Sequence, residues 1–196
     1  MPPPYPLILA SASPRRRELL ASVGLEFEVA HPNLDETRNA GESPQAFAKR
    51  VASDKAKLIA AQHPGTAVLA ADTIVVLQGR VFGKPKNAKN AAEMLTDLSG
   101  KTHAVLTAVA VVSPAGRYQT IVRTTVRFRR LSPEFVSWYS HSEEPKDKAG
   151  AYAIQGAAGS QIESIQGSPS NVVGLPLSET LALLAAAGVQ LPWGPR

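Results

Sequence analysis

The chain has 196 residues, a formal net charge of +5, and a composition that is 44% hydrophobic and 19% charged. These values are typical of an ordinary folded protein, and the length suits one sizeable core, so we predict a single domain over residues 1–196. Cysteine is absent, which excludes a disulfide framework, a thiolate nucleophile and a thiolate metal site.

The sequence also predicts where the protein works and what it binds. The opening Met1–Pro6 lacks the basic and apolar regions of a signal peptide, and no apolar run reaches the ~20 residues of a membrane helix. We therefore expect a cytoplasmic protein without a membrane partner. The positive charge suits an anionic partner, but aromatic residues make up only 6% of the chain, which disfavours nucleic acid.

Hydrophobic spacing and turn residues predict strands and helices that alternate at first and are then interrupted by a hairpin. This order favours an α/β fold with a mixed central sheet and flanking helices. The predicted strands cover 7–10, 27–30, 68–77, 104–112, 118–128, 152–155 and 161–165, and the predicted helices cover 15–23, 44–62, 87–99, 133–141 and 178–187.

Asp72 interrupts the near-continuous apolar run of the strand predicted over 68–77. Burying a lone carboxylate there is costly unless a cation or several hydrogen-bond donors compensate it. The position alone leaves two interpretations equally open: a carboxylate bonded to backbone amides at a bend, and a site residue. A metal ion would keep the group ionised.

Basic residues stand at three further unusual positions. Lys55 lies on the same helix face as Val51 and Ile59, where a lysine with its stem on apolar surface is the simpler interpretation. Arg15 and Arg16 occupy the first turn of a helix directly after a strand, which fits a solvated turn and a phosphate cradle equally well. Lys84 follows a glycine and is a candidate phosphate ligand, although the segment is not a P-loop.

Several segments in series resemble the Maf family of nucleotide pyrophosphatases, and the resemblance covers nearly the whole chain. The opening resembles the family's Ser-x-Ser-Pro-Arg-Arg signature, and the later segments follow in the family's order. The segments are 11–16, 35–36, 50–56, 71–73, 83–85, 98–103, 147–156 and 171–177.

The resemblance implies a mixed-sheet α/β fold of two lobes around an elongated cleft, similar to inosine triphosphatase, and a homodimer. It further implies hydrolysis of a nucleoside triphosphate between the α and β phosphates with a divalent cation, Mg²⁺ or Mn²⁺. Asp72 would be the proton acceptor and a metal contact, and Glu36 a second metal contact. The phosphates would be held by Arg15, Arg16, Lys55 and Lys84.

Within the family, Arg15, Thr73 and Gln155 match the branch that acts on dTTP and UTP. The chain departs from the family pattern beside the base-recognition segment, at Ala153, Gln161 and Pro169. Two alternatives stay open: a non-catalytic nucleotide- or nucleic-acid-binding regulator of cell division, and a pyrophosphatase for purine or deaminated nucleotides. A panel of bases at fixed metal would decide between them.

Overall fold

The computed structural model describes residues 5–194, so Met1–Pro4, which belong to the segment examined for a signal peptide, lie outside the described residues. The seven strands are β1 (Leu7–Ala10), β2 (Glu28–Ala30), β3 (Ala67–Leu77), β4 (Arg80–Phe82), β5 (Thr102–Ser113), β6 (Gly116–Phe128) and β7 (Ile162–Gln166). The six α-helices are α1 (Pro14–Ser22), α2 (Pro44–Ala60), α3 (Ala88–Leu98), α4 (Pro133–Ser140), α5 (Pro169–Val173) and α6 (Leu177–Ala186). No helix between Tyr5 and Gly194 is long and apolar enough to cross a membrane.

The strands form one mixed sheet in the order β2-β1-β3-β5-β6-β7, with β4 paired to β3. β1 pairs in parallel with β2 and β3, while β4 pairs antiparallel with β3, and β7 pairs antiparallel with β6. Parallel neighbours require crossover connections, which α1 and α2 provide after β1 and β2. The predicted mixed α/β sheet with flanking helices is therefore confirmed.

Helix starts follow the local signals in the sequence. Ser43, Asn87 and Ser132 each accept a hydrogen bond from the backbone N–H three residues later, at 3.2, 2.9 and 3.2 Å. Such caps satisfy backbone donors that have no partner within the helix. Ser13 occupies the same position before α1 but makes no such bond, and its own N–H donates to Ser11 Oγ at 3.2 Å.

The chain divides into two compact units, in agreement with the expected two lobes. The first contains the described parts of Met1–Asp72, Thr107–Val122 and Gly174–Arg196, and the second contains Thr73–Leu106 and Arg123–Val173. Each unit is discontinuous in sequence, so the division does not separate successive domains. The single domain over 1–196 stays a prediction.

Each unit has an apolar core of its own. The core of the first unit includes Leu9, Leu20, Leu69, Leu175 and Leu184, none of which is exposed. The core of the second unit packs α3 and α4 with the aromatic side chains Phe82, Phe128, Tyr139 and Tyr152. Burial of this kind stabilises by about 25 cal/mol per Å² of apolar surface.

The predicted strand over 152–155 is wrong. These residues follow a short 3-10 helix (Ala149–Ala151) and enter a turn in which Gly156 N–H donates to the Ala153 carbonyl at 3.4 Å. Gly150 and Ala151 adopt φ of 71° and 58°, which bends the chain away from an extended path. A β-carbon at Gly150 would lie 2.9 Å from Val75 Cγ2, so a tertiary contact also requires glycine there.

His103 is a buried histidine in the core of the second unit. It is 3% exposed, its Nε2 is 2.8 Å from the Tyr152 hydroxyl, and its ring packs edge-on against Phe128. Burial lowers the pKa of His103 to about 4. The imidazole is therefore neutral in the folded protein at neutral pH.

We expect this histidine to make stability depend on pH. Its folded pKa lies below its ordinary value, so the contribution is complete above about pH 6.5 and is lost as the pH falls toward about 4. The difference amounts to about 3 kcal/mol in the free energy of unfolding. Urea unfolding at several pH values should show a flatter pH dependence for His103→Gln than for the wild type. If the free energy of unfolding depended on pH equally in both proteins, His103 would not be the cause of this dependence.

Candidate active site

Asp72 is a buried carboxylate in the middle of β3, and it is paired with a cation. It is 7% exposed, and Ala67 to Ala71 before it are fully buried. Its Oδ1 accepts a hydrogen bond from Lys55 Nζ at 2.9 Å. The compensation that burial of Asp72 requires is thus supplied by a charged side chain.

Lys55 also contacts a second carboxylate. Its Nζ is 2.9 Å from Glu36 Oε1, and Glu36 stands in the loop between β2 and α2 with 47% of its side chain exposed. Lys55 itself is only 6% exposed, so it does not extend along apolar surface into solvent. We call Glu36, Lys55 and Asp72 the Asp72 cluster, and its formal charge is −1 (−2 from the carboxylates, +1 from the lysine).

The loop that carries Glu36 is fastened to α2 by an arginine. Arg50 Nε and Nη2 donate to the two carboxylate oxygens of Glu42 at 2.8 and 3.0 Å, and Nη2 also donates to the Thr37 carbonyl at 2.9 Å. A two-pronged arginine–carboxylate pair fixes geometry as well as charge. Arg50 therefore orders the residues directly after Glu36, a role that helical periodicity does not reveal.

Arg16 lies close enough to the Asp72 cluster to interact with it electrostatically. Burial lowers the pKa of Arg16, and the charges of Asp72 and Glu36 oppose that shift. Its Nε donates to the Gly174 carbonyl at 2.8 Å and its Nη1 to Ser11 Oγ at 3.3 Å.

Arg15 directly precedes Arg16 in α1 and is partly buried. Ser11 belongs to the Ser-x-Ser-Pro-Arg-Arg segment, but the sequence alone assigned it no contact.

The environment changes the basicity of Asp72. Burial raises the pKa of Asp72, and the charges of Lys55 and Arg16 lower it without cancelling the effect. An ordinary aspartate has a pKa of about 3.9 and is a weak base at neutral pH. The raised pKa makes Asp72 a stronger proton acceptor than an exposed aspartate.

The remaining predicted site residues belong to the second unit. Thr73 follows Asp72 in β3, and consecutive strand residues point to opposite faces. Lys84 is exposed in the segment after β4, where the Gly83 carbonyl accepts a hydrogen bond from Gly150 N–H at 3.0 Å. Gln155 stands five residues after Gly150 and is exposed. This hydrogen bond joins the residue before Lys84 to Gly150, which precedes the turn that carries Gln155.

The Asp72 cluster suits a hard divalent cation. Mg²⁺ prefers oxygen ligands and is commonly bound by one or two carboxylates plus substrate phosphates, so Asp72 and Glu36 are a sufficient protein contribution. Within residues 5–194, no three His, Asp or Glu side chains converge as an all-protein metal cage would require. Asp72 and Glu36 are thus the two residues of this cluster that could hold such an ion.

The structure is an α/β protein with a mixed sheet and a buried pair of acidic and basic side chains, Asp72 and Lys55. A family model described as "Maf-like protein" matches residues 6–187. The chain belongs to the Maf family.

Curated relatives cover nearly the full length. A protein of Myxococcus xanthus named dTTP/UTP pyrophosphatase is 55% identical over 95% of both chains. One of Anaeromyxobacter dehalogenans with the same name is 52% identical over 95% of this chain and 96% of the relative. Among solved structures, a HAM1 protein from Coxiella burnetii aligns over 92% of this chain and 97% of that chain, with 15% identity and a TM-score of 0.48.

Proposed function

We propose that this protein is a nucleoside triphosphate pyrophosphatase that hydrolyses dTTP and UTP to the monophosphate and pyrophosphate. The observation that carries the proposal is the buried Asp72 paired with Lys55 at 2.9 Å, in a chain of the Maf family. A site that bound only polyanions would gain nothing from carboxylates, because their charge repels phosphate, and the Asp72 cluster sets two carboxylates against one lysine. The names of relatives at 52–55% identity support the substrate.

In the proposed reaction, Asp72 accepts a proton from a water molecule that attacks the α phosphorus. The bond from the α phosphorus to the bridging oxygen breaks, and pyrophosphate leaves with the bond electrons. Lys55 orients Asp72 through its hydrogen bond, and the positive charges of Lys55 and Arg16 stabilise the charge that develops on the phosphates. Charge-assisted hydrogen bonds contribute roughly 1.5–3 kcal/mol each, so losing one should lower the rate by about one to two orders of magnitude.

We propose that Asp72 and Glu36 hold a divalent cation, Mg²⁺ or Mn²⁺, together with the substrate. Such an ion supplies charge neutralisation and acidifies water. Arg15 and Lys84 are further proposed phosphate ligands, and Thr73 and Gln155 are proposed to contact the base. From the resemblance and the composition we also propose a homodimer, a cytoplasmic location and no nucleic-acid partner. Sedimentation analysis tests the homodimer.

A panel of nucleotides tests the function. We expect pyrophosphate release from dTTP and UTP at least about tenfold faster than from CTP, GTP or ITP, because a polar site rejects bases that leave its groups unpaired. We expect EDTA to abolish the release and added Mg²⁺ or Mn²⁺ to restore it. Preference for ITP or GTP would instead support the purine alternative. No release from any nucleotide, with binding retained, would support the regulator.

A further inference from the structure

Gln155 is presented on a turn whose backbone is held at both ends. The turn runs from Ala153 to Gly156 and is closed by the hydrogen bond from Gly156 N–H to the Ala153 carbonyl. Gln155 is exposed, while Tyr152 and Ala153 before it are buried. The position of the Gln155 backbone is therefore set by the groups that anchor this turn.

Two side chains outside the proposed site provide the anchors. Ala153 N–H donates to the Tyr139 hydroxyl at 3.2 Å, and Ala157 N–H donates to Glu144 Oε2 at 3.1 Å. The Tyr139 hydroxyl donates to Glu144 Oε1 at 2.8 Å. A continuous chain of hydrogen bonds thus joins the backbone before Gln155 to the backbone after it. We call Tyr139 and Glu144 the turn clamp.

The clamp is built into the packing of the second unit. Tyr139 is fully buried in the core, on α4, and its ring stacks on Phe135 with centroids 5.4 Å apart. A β-carbon at Gly156 would overlap the Glu144 carboxylate, so only glycine lets the carboxylate lie against the turn. A side chain held by packing and by a charge-assisted hydrogen bond keeps one geometry.

Base selectivity requires such a fixed geometry. The amide of glutamine has an acceptor oxygen and a donor nitrogen, so it complements a uracil edge in one orientation and a cytosine edge when turned by half a revolution. Uracil presents an acceptor at the position where cytosine presents a donor. A Gln155 whose backbone shifts could therefore reach either edge, whereas a held backbone limits the amide to the part of the base that lies within its reach.

We propose that Tyr139 and Glu144 are positioning residues that set the preference for uracil and thymine over cytosine by fixing the Gln155 turn, without contacting the nucleotide. The inference rests on the proposed function and extends it to residues that the reaction itself does not use. Misplacing a recognition group by about 1 Å can change rates by up to about 100-fold, so loss of one anchor should have a measurable effect.

The test is the ratio of kcat/KM for UTP to kcat/KM for CTP. We expect Tyr139→Phe and Glu144→Ala each to lower this ratio by about tenfold. Glu144→Gln keeps an acceptor for Ala157 N–H, so it should lower this ratio less than Glu144→Ala does. Loss of stability alone lowers the active fraction equally for both nucleotides and leaves the ratio unchanged.

Matched controls make the same chemical changes elsewhere. Tyr118→Phe removes a hydroxyl that donates to the Ala115 carbonyl at 3.3 Å in an exposed turn, and Glu163→Ala removes a surface partner of Arg127. Both should keep the wild-type ratio. Amide hydrogen exchange should also show Ala153 and Ala157 protected in the wild type, with Ala153 losing protection in Tyr139→Phe.

Active variants with an unchanged ratio would overturn the inference while leaving the proposed function intact. Amides of Ala153 and Ala157 that exchange as fast in the wild type as in an unstructured peptide would also overturn it, even if neither variant folds. A folded wild type that releases no pyrophosphate from any nucleotide would overturn the proposed function itself.

Discussion

We expect Asp72→Asn to lower kcat for pyrophosphate release from UTP by at least about 100-fold, because a positioned general base contributes about 10²–10⁴ to the rate. Asparagine has nearly the same shape and keeps an oxygen for the hydrogen bond from Lys55, which is 2.9 Å long in the wild type. It cannot accept the proton from water. Initial rates at saturating UTP and Mg²⁺, near neutral pH, measure the effect.

The control for this substitution is Asp97→Asn. Asp97 is an exposed carboxylate on α3 whose Oδ2 is 2.6 Å from Arg80 Nη1, and it belongs to no proposed site. We expect it to retain the wild-type rate. If Asp72→Asn kept more than about a tenth of the wild-type rate, Asp72 would not be the proton acceptor.

The second large effect should be on stability. Lys55→Met keeps an apolar stem but leaves Asp72, which is 7% exposed, without its charged partner. Breaking a buried pair in this way costs roughly 3–5 kcal/mol, and we expect a decrease near the lower end because Asp72 can take up a proton. Urea unfolding near neutral pH measures the free energy of unfolding.

The pH dependence and a double variant separate this cause from lost packing. Lys55 lowers the pKa of Asp72, so its removal raises that pKa further, and the destabilisation should shrink as the pH falls and Asp72 is protonated. Lys55→Met combined with Asp72→Asn should be more stable than Lys55→Met alone. A double variant no more stable than Lys55→Met would contradict the electrostatic cause.

Lys57→Met is the matched control for Lys55→Met. Lys57 lies on the same helix, is 46% exposed, and has its Nζ 3.4 Å from Asp54 Oδ1. Exposed pairs of this kind contribute at most about 1 kcal/mol. We expect a correspondingly small loss of stability and no loss of activity.

The Asp72 cluster illustrates why a buried ion pair belongs to function more than to stability. Desolvation of two charges commonly cancels their attraction, and apolar residues of similar size often stabilise a core as well. Burial raises the pKa of Asp72 despite Lys55 and Arg16, so the ionised carboxylate is held in an unfavourable environment. That is the condition under which a carboxylate becomes a useful base.

Local patterns in the sequence identified most of the fold correctly. The predicted elements over 7–10, 44–62 and 68–77 correspond to β1 (Leu7–Ala10), α2 (Pro44–Ala60) and β3 (Ala67–Leu77), with boundaries within two residues. They were predictable because apolar periodicity and Ser-Pro starts are local properties of the chain. The short β4 and α5 have no such periodicity and were missed.

The site was predictable only in part. The sequence singled out Asp72 and Lys55 as anomalies because each places a charge where apolar contacts are expected. It did not show that they pair, since they stand 17 residues apart on different elements and the simpler interpretation of Lys55 was an exposed amine. The clamp of Tyr139 and Glu144 gave no signal, because a tyrosine in a helix and an acidic loop residue are ordinary.

The sequence by itself therefore determined most of the elements that form, that the chain resembles the Maf family, and which charges stand out of pattern. Only the tertiary structure decided which of those charges meet, and that 152–155 is a turn instead of a strand. The physical reason is the range of the interactions. Helix and strand periodicity act over a few residues, whereas the 2.9 Å contact of Lys55 with Asp72 and the bond from Ala153 to Tyr139 exist only after distant segments have packed.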